Sequence, residues 1–300
     1  MPPTTKPGSP SPRKPDLKRT ERPDVSDCFS VVTWNVNSLR MRWDRLRDFL
    51  SAQRPDVLCL QEIKMQDADF PVLELRGLGY PSVAHGQKAY NGVAILCREE
   101  HGPLTDIVRG IPVGEEDAEA RLILASIPSL GVRVGSVYVP NGQAVGTEKY
   151  EYKLRWLARL HRYLTEQCSP QDATALCGDF NVAPADCDVH DPTLWADTVI
   201  CHEAARAAFA RLVAVGFRDT LRLVRPFERD GERIFTYWDY RGLAFPKNLG
   251  LRIDHILATE SLAGRCRWVE VDRQARKGEK PSDHAPVIAW FQRFRRETTA

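Results

Sequence analysis

Asp283 and His284 are neighbours in KPSDHAP, residues 280–286, between two prolines and just ahead of the apolar run APVIAWF. A carboxylate beside an imidazole puts a hard oxygen ligand and a titratable donor at one place on the chain. Acids, amides and a phenol close other apolar runs in the same way. FSVVTW (29–34) leads into Asn35 and Asn37, DVLCL (56–60) into Gln61 and Glu62, VRVGSV into Tyr138, and ATALCG into Asp179 and Asn181. Together they match what hydrolysis of a phosphodiester demands: neutralised charge on the phosphorus oxygens, a water opposite the leaving oxygen, and stabilisation of that oxygen as it departs. Glu62 and Asp283 suit Mg²⁺, which binds through one or two carboxylates and keeps several waters. Asp179 would take a proton from the attacking water, Asn181 would donate to a phosphate oxygen, and His284 would add a positive donor. Any one of these acids alone reads as a solvated or capping residue, and only the set argues for chemistry.

Asp254 lies in LRIDHILAT, read as a strand with Leu251, Ile253, His255 and Leu257 on one face and Arg252, Asp254 and Ile256 on the other. An ionised acid inside a strand needs a partner. Two remain open: nearby Arg252, or His284, which Asp254 would orient and keep protonated. A further acidic run, ADCDVHD (185–191), lies in a Pro-flanked loop and reads as solvated turn residues outside the catalytic set. Zinc-ligand spacing of His and Cys, a GxxxxGK[ST] phosphate loop and a GxSxG nucleophile elbow are all missing from the sequence.

The elements that must position these residues alternate. FSVVTW, DVLCL, GVAILC (92–97), RLILASIP (121–128), VRVGSVYVP (132–140), ATALCGDF (173–180), FTYWDY (235–240), LRIDHILAT, CRWVEV and APVIAWF read as strands. Helices are expected near 40–53, over about 148–167, where Tyr152, Trp156, Leu160 and Leu164 recur at spacing four, and near 203–215. That alternation gives an α/β class, and strand ends are where such folds build sites, because a rigid sheet aims loop residues without burying unpaired charge.

Composition sets the bounds. The 300 residues carry a formal charge of +2, 43% hydrophobic and 27% charged residues, with no apolar run long enough to cross a bilayer. The net charge is too small to advertise a nucleic-acid partner, and only local patches could do so. Residues 1–28, rich in Pro, Ser, Lys and Arg, read as a disordered basic tail, with 29–300 as a single catalytic domain. The tail's cations, among them Lys6, Arg13 and Arg22, could add salt-sensitive DNA affinity, although a solvated extension is the simpler reading. Eight cysteines without a CxxC pair read as buried thiols of a reducing cytoplasm.

WNVNSLR (34–40), LQEIK (60–64), YVPNG (138–142), GDFNVAP (178–184), LRIDHIL (251–257) and KPSDHAP together resemble the exonuclease III family of apurinic/apyrimidinic endonucleases, within the endonuclease/exonuclease/phosphatase superfamily. The resemblance runs in uninterrupted order over roughly residues 29 to 292. It implies a four-layered α/β sandwich, two facing mixed β-sheets flanked by helices, with the site at one edge. Asp283 would join Glu62 at a Mg²⁺ ion, with Mn²⁺ as a substitute, while His284 pairs with Asp254 at the scissile phosphate. Asn35 would position Asp179, and Tyr138 would contact the phosphate. Where some relatives carry an acid this chain has Asn37, a weaker neutral ligand.

By the same resemblance Tyr237, Trp238 and Leu251 would form a small apolar pocket for a flipped-out sugar without a base. Arg121 and Asn141 are candidates for contacts to the DNA backbone. The activity implied is Mg²⁺-dependent incision 5′ to abasic sites, with 3′→5′ exonuclease and 3′-end trimming, by a monomer in the cytoplasm acting on double-stranded DNA at the nucleoid. Two alternatives stand beside it: a phosphoesterase of the superfamily acting on a lipid or small phosphoester, and a non-catalytic nucleic-acid-binding relative.

Overall fold

A computed structural model describes residues 22–114, 119–226 and 232–294, so residues 1–21 of the basic tail lie outside the described residues. The first half of the chain forms β1 (Cys28–Asn35), α1 (Trp43–Gln53), β2 (Val57–Gln61), α2 (Val72–Gly77), β3 (Ser82–His85), β4 (Val93–Cys97), β5 (Thr105–Arg109), β6 (Leu122–Ile127) and β7 (Val132–Tyr138). The second half forms α3 (Glu148–Gln167), β8 (Thr174–Asp179), α4 (Pro192–Trp195), α5 (Glu203–Ala214), β9 (Phe217–Asp219), α6 (Thr220–Val224), β10 (Asp254–Thr259), α7 (Glu260–Ala263), β11 (Cys266–Val271) and β12 (Val287–Gln292).

Two six-stranded sheets result, ordered β11-β12-β1-β2-β4-β3 and β5-β6-β7-β8-β10-β9. Alternate side chains of one strand enter different cores. Val31 and Cys59 meet Val134, Cys177 and Ile256 between the sheets, while Val32, Trp34 and Leu58 pack outward on Leu46, Phe49 and Leu50 of α1. In the second sheet Leu122, Leu176 and Leu257 pack on Trp156 and Leu160 of α3 and Phe209 of α5. Both faces of the central strands are therefore covered, which explains their continuous apolar runs and gives the four expected layers.

Strand direction decides where the polar residues collect. β1 runs parallel to β2 and β7 parallel to β8, while β12 is antiparallel to β1 and β10 antiparallel to β8. The C-terminal ends of β1, β2, β7 and β8 thus share one edge of the sandwich with the N-terminal ends of β10 and β12. Tyr138 stands in register with Asp179, and Asp179 with Asp254. Gly178 makes the β7–β8 approach possible, since a Cβ there would lie 1.9 Å from the Val137 carbonyl oxygen.

Two readings need correction here. Asp254 opens β10 and is not a strand-interior residue, so its carboxylate faces the shared edge. FTYWDY is irregular, and only Tyr237 makes isolated bridges, to Leu251 and His284. Phe235 and Trp238 mimic a strand because they fill a small separate core with Ala244 and Ala285.

Candidate active site

The six strand ends bring the catalytic candidates into contact. Asn35 is fully buried, and its Nδ2 donates to Glu62 Oε1 at 2.8 Å and to Asp179 Oδ2 at 3.0 Å. One amide thus ties the acid proposed for the metal to the acid proposed for the proton. His284 Nδ1 lies 2.8 Å from Asp254 Oδ2, and its Nε2 lies 3.7 Å from Asp179 Oδ2. Asp254 therefore takes His284 as its partner, whereas Arg252 turns to Asp188 and Asp219. The KPSDHAP turn is fastened by Ser282, whose hydroxyl donates to the Asn35 carbonyl at 2.7 Å and accepts from His284 N at 3.2 Å. Thr236 does the same for Asp254, its hydroxyl accepting from the backbone N–H groups of Ile253 and Asp254. Neither Ser282 nor Thr236 figures among the sequence candidates, because a small hydroxyl residue in a loop carries no distinctive signal.

Backbone shape contributes too. Asn37, Glu62 and Asn181 each follow a strand end in the left-handed region, with φ of 44°, 51° and 49°. Asparagine tolerates that region, but for Glu62 it costs about 1 kcal/mol or more, held by the surrounding structure.

Burial shifts the titration of these groups. Desolvation raises Asp179 to about 7, resisted by the His284 charge and reinforced by Asp254. Burial opposes the His284 imidazolium, but Asp254 and then Asp179 outweigh it and lift the group to about 10. Glu62 is pushed up by burial yet ends below its ordinary value because Lys64 and Asn35 stabilise its charge. Burial first, then Glu62 and Asp179, drive Tyr138 well above the ordinary tyrosine range, which keeps its phenol a neutral donor.

Glu62 and Asp283 line one cavity of about 280 Å³ with Tyr138, Asn141, Asp179, Asn181 and His284. The two carboxylates are hard oxygens of the kind a divalent cation takes, so the donor set fits a metal. Asn37 does not join it as expected. Its Nδ2 donates to Asp283 Oδ1 at 3.0 Å while its Oδ1 accepts from Lys64 Nζ at 2.6 Å, so an N–H and not a ligand oxygen faces Asp283. Lys64 also pairs with Glu62 Oε2 at 2.8 Å. The cluster of Asp179, Asp254 and His284 has ligand-like spacing. Its imidazole is already spent on Asp254, which makes it a hydrogen-bonded triad and not a coordination shell.

Tyr237, Leu251, Ile253, Trp195 and Ile200 form the apolar side of the cavity. Trp238 does not reach it. That ring is fully buried, with Nε1 donating to Asn248 Oδ1 at 3.3 Å. Ile253 takes the expected place, two residues beyond Leu251 on the lead-in to β10, where alternation could have pointed to it. Trp195 ends α4 and Ile200 follows it in the segment beyond GDFNVAP, and neither gives a sequence signal. Asn141 reaches the site, donating to Asn181 Oδ1 at 3.0 Å. Arg121 is 7% exposed, so it is no free contact for a backbone phosphate. It pairs with Glu119 at 2.7 Å, donates to the Tyr138 carbonyl and lies 4.8 Å over the Tyr138 ring. Its position is that of a brace behind Tyr138.

The ADCDVHD loop also departs from expectation. Asp188 is 1% exposed and accepts from Arg252 at 2.7 and 3.0 Å and from Arg222. Asp191 caps α4, accepting from the N–H groups of Thr193 and Leu194. These acids fasten the loop to the lead-in of β10 and stand outside the catalytic set.

Comparison with known proteins agrees with this geometry. The family model described as Endonuclease/Exonuclease/phosphatase family matches residues 32–284. Exodeoxyribonuclease III of Haemophilus influenzae is 36% identical over 273 residues, 88% of this chain and 100% of that protein. An AP endonuclease from Archaeoglobus fulgidus superposes with a TM-score of 0.82 at 41% identity, over 88% of this chain and 99% of that one. The 3′-5′ exonuclease of Neisseria meningitidis superposes with a TM-score of 0.83 at 40% identity, over 88% of this chain and 100% of that one.

Proposed function

The chain belongs to the Endonuclease/Exonuclease/phosphatase family and is a nuclease that hydrolyses phosphodiester bonds; we propose that it incises double-stranded DNA 5′ to abasic sites with Mg²⁺ bound at Glu62 and Asp283. The observation that carries the reading is the Asn35 amide, which joins Glu62 to Asp179 within one cavity that also holds His284. A bound Mg²⁺ would supply positive charge to the phosphoryl and leaving oxygens. Asp179 takes the proton of the attacking water, and a carboxylate raised to about 7 exchanges protons near neutrality. His284, held as an imidazolium by Asp254, presents its Nε2 hydrogen to a phosphate oxygen. Asn181 Nδ2 spends one N–H on the Val139 carbonyl, which leaves its second for the same phosphate, beside the neutral Tyr138 hydroxyl.

The apolar wall of Tyr237, Leu251 and Ile253 favours a sugar that has lost its base, since about 280 Å³ shared with a phosphate leaves little space for one. A similar protein, a 3′ phosphatase from Neisseria bound to a product DNA hairpin, supports 3′-end trimming as a second activity of the same site. The reading carries with it a monomer working in the cytoplasm on nucleoid DNA, where its eight free cysteines stay reduced.

The test is an end-blocked duplex with one abasic site, incubated with Mg²⁺ beside a 3′-recessed duplex. Incision 5′ to the lesion by the wild type, and its loss in Asp179→Asn, is expected. Release of phosphate from lipid or small phosphoesters with the DNA left intact would overturn the reading.

A further inference from the structure

Lys153 occupies a position on α3 that the helix pattern reserves for apolar residues. It shares the buried face with Tyr150, Trp156, Leu157 and Leu160 and is itself 0% exposed. Burying an ammonium is costly unless its protons are satisfied, so its partners define what it is for. The side chain reaches three backbone carbonyls: Asn181 O at 2.7 Å, Val199 O at 2.7 Å and Asn141 O at 3.3 Å. These belong to three separate segments, the turn after β7, the turn after β8 and the loop beyond α4. Each carries a side chain of the cavity, namely Asn141, Asn181 and, next to Val199, Ile200.

We propose that Lys153 is a positioning residue for the hydrolysis, a buried strut whose three N–H donors hold Asn141, Asn181 and the Val199–Ile200 segment at the spacing the scissile phosphate requires. The inference rests on the phosphodiesterase reading and deepens it. Three carbonyls call for three donors, which an ammonium has and a neutral amine lacks. Asp179 lies close enough to favour the charged form, against the burial that pulls the group down to about 7. Besides Lys153, the segments are joined by Asn141 Nδ2 to Asn181 Oδ1 at 3.0 Å, Asn181 Nδ2 to the Val139 carbonyl at 3.0 Å, Val139 N to the Asp179 carbonyl at 2.9 Å and Ala183 N to the Ile200 carbonyl at 3.0 Å, and Lys153 alone reaches all three. Loss of the strut lets them drift apart, and a misplacement of about 1 Å in a site of this kind costs on the order of 100-fold in rate.

Lys153→Met keeps length and apolar bulk but removes all three donors, Lys153→Gln restores part of them, and Leu160→Ala on the same buried face serves as a purely destabilising control. Each is assayed on the abasic duplex with Mg²⁺ beside the wild type, with thermal melting to give the folded fraction and hydrogen–deuterium exchange over 139–146 and 181–201. Expected for Lys153→Met is a fall in kcat of about 10- to 100-fold per folded molecule, KM within a few-fold, and faster exchange in both segments. Lys153→Gln should lie between, and Leu160→Ala should lose melting temperature with kcat per folded molecule unchanged. Activity that follows the folded fraction alone in every variant would overturn the inference. An inactive wild type would instead sink the phosphodiesterase reading itself.

Discussion

Strand β2 carries a buried acid cluster at each end, and the two behave in opposite ways. Before its first residue, Asp56 accepts from Ser30 N at 2.8 Å, from Arg98 Nη2 at 2.6 Å and from Arg293 Nη2 at 3.3 Å, with His101 Nε2 at 2.6 Å. Burial works against that carboxylate, but its hydrogen bond from His101 and the charge of Arg98 hold it well below the usual range. Past its last residue, Glu62 leads into Asp179, Asp254 and His284, where Asp179 is raised, and Asp254 Oδ1 is buried without a partner. Both ends hold a short carboxylate–imidazole pair. The first has cations enough to neutralise its acid and reads as structure. The second gathers several acids around one imidazole at an open cavity, and its excess negative charge is what a metal and a protonated base would relieve. A buried acid–histidine pair is thus no sign of chemistry until its surroundings are counted.

The contrast can be broken most sharply at Asp179. Replacing it with Asn should lower kcat by about 10³- to 10⁴-fold with melting unchanged or raised, because a buried acid that resists ionisation adds no stability near neutrality. A loss under tenfold would remove Asp179 as the proton acceptor.

Asp254→Asn is the next largest. The folded pKa of His284 lies near 10 against an ordinary 6.5, so its contribution to stability is complete below 6.5 and fades as pH rises through 10. Without the Asp254 charge the alkaline limb of kcat/KM should slide from near 10 toward 6.5, read from a pH–rate profile. An unmoved limb would assign it to another group.

At the other end, Asp56→Ala should cost about 3–5 kcal/mol in denaturant unfolding, because it removes the buried carboxylate on which Ser30, Arg98, His101 and Arg293 converge and leaves Arg98 with Glu100 alone. Turnover per folded molecule should stay within about twofold, since nothing there touches the substrate. A large drop in turnover would erase the distinction between the two clusters.

The smallest effect on stability concerns the metal. Mg²⁺ at about a hundred times its dissociation constant should stabilise the wild type by roughly 2.7 kcal/mol, and chelation should abolish cleavage. Glu62→Gln should forfeit most of that gain, while the Asp56 variant keeps it.

Much of this was legible in the residues themselves. The apolar runs located ten strands or near-strands, because strands covered on both faces show unbroken hydrophobicity, and polar residues closing them flagged Asn35, Glu62, Tyr138, Asp179 and Asn181. The half-exposed edge strands β3 and β5 gave no such run. Trp238 misled because an aromatic residue in a buried loop and one in a pocket wall look alike in sequence. Arg121 misled because exposure is not written in a residue's type.

The sequence by itself determined which side chains stand at strand ends, and so the chemistry open to them. Which of those ends meet was settled only in three dimensions. Pairing direction brings the C-terminal ends of four strands and the N-terminal ends of two to one edge, and bonds between residues far apart in the chain, such as Ser282 to Asn35 across 247 positions, close it. Hydrophobic periodicity reports local burial, whereas the choice between His284 and Arg252 as the partner of Asp254, or between donor and ligand at Asn37, depends on angles and distances that only the packed sheets fix.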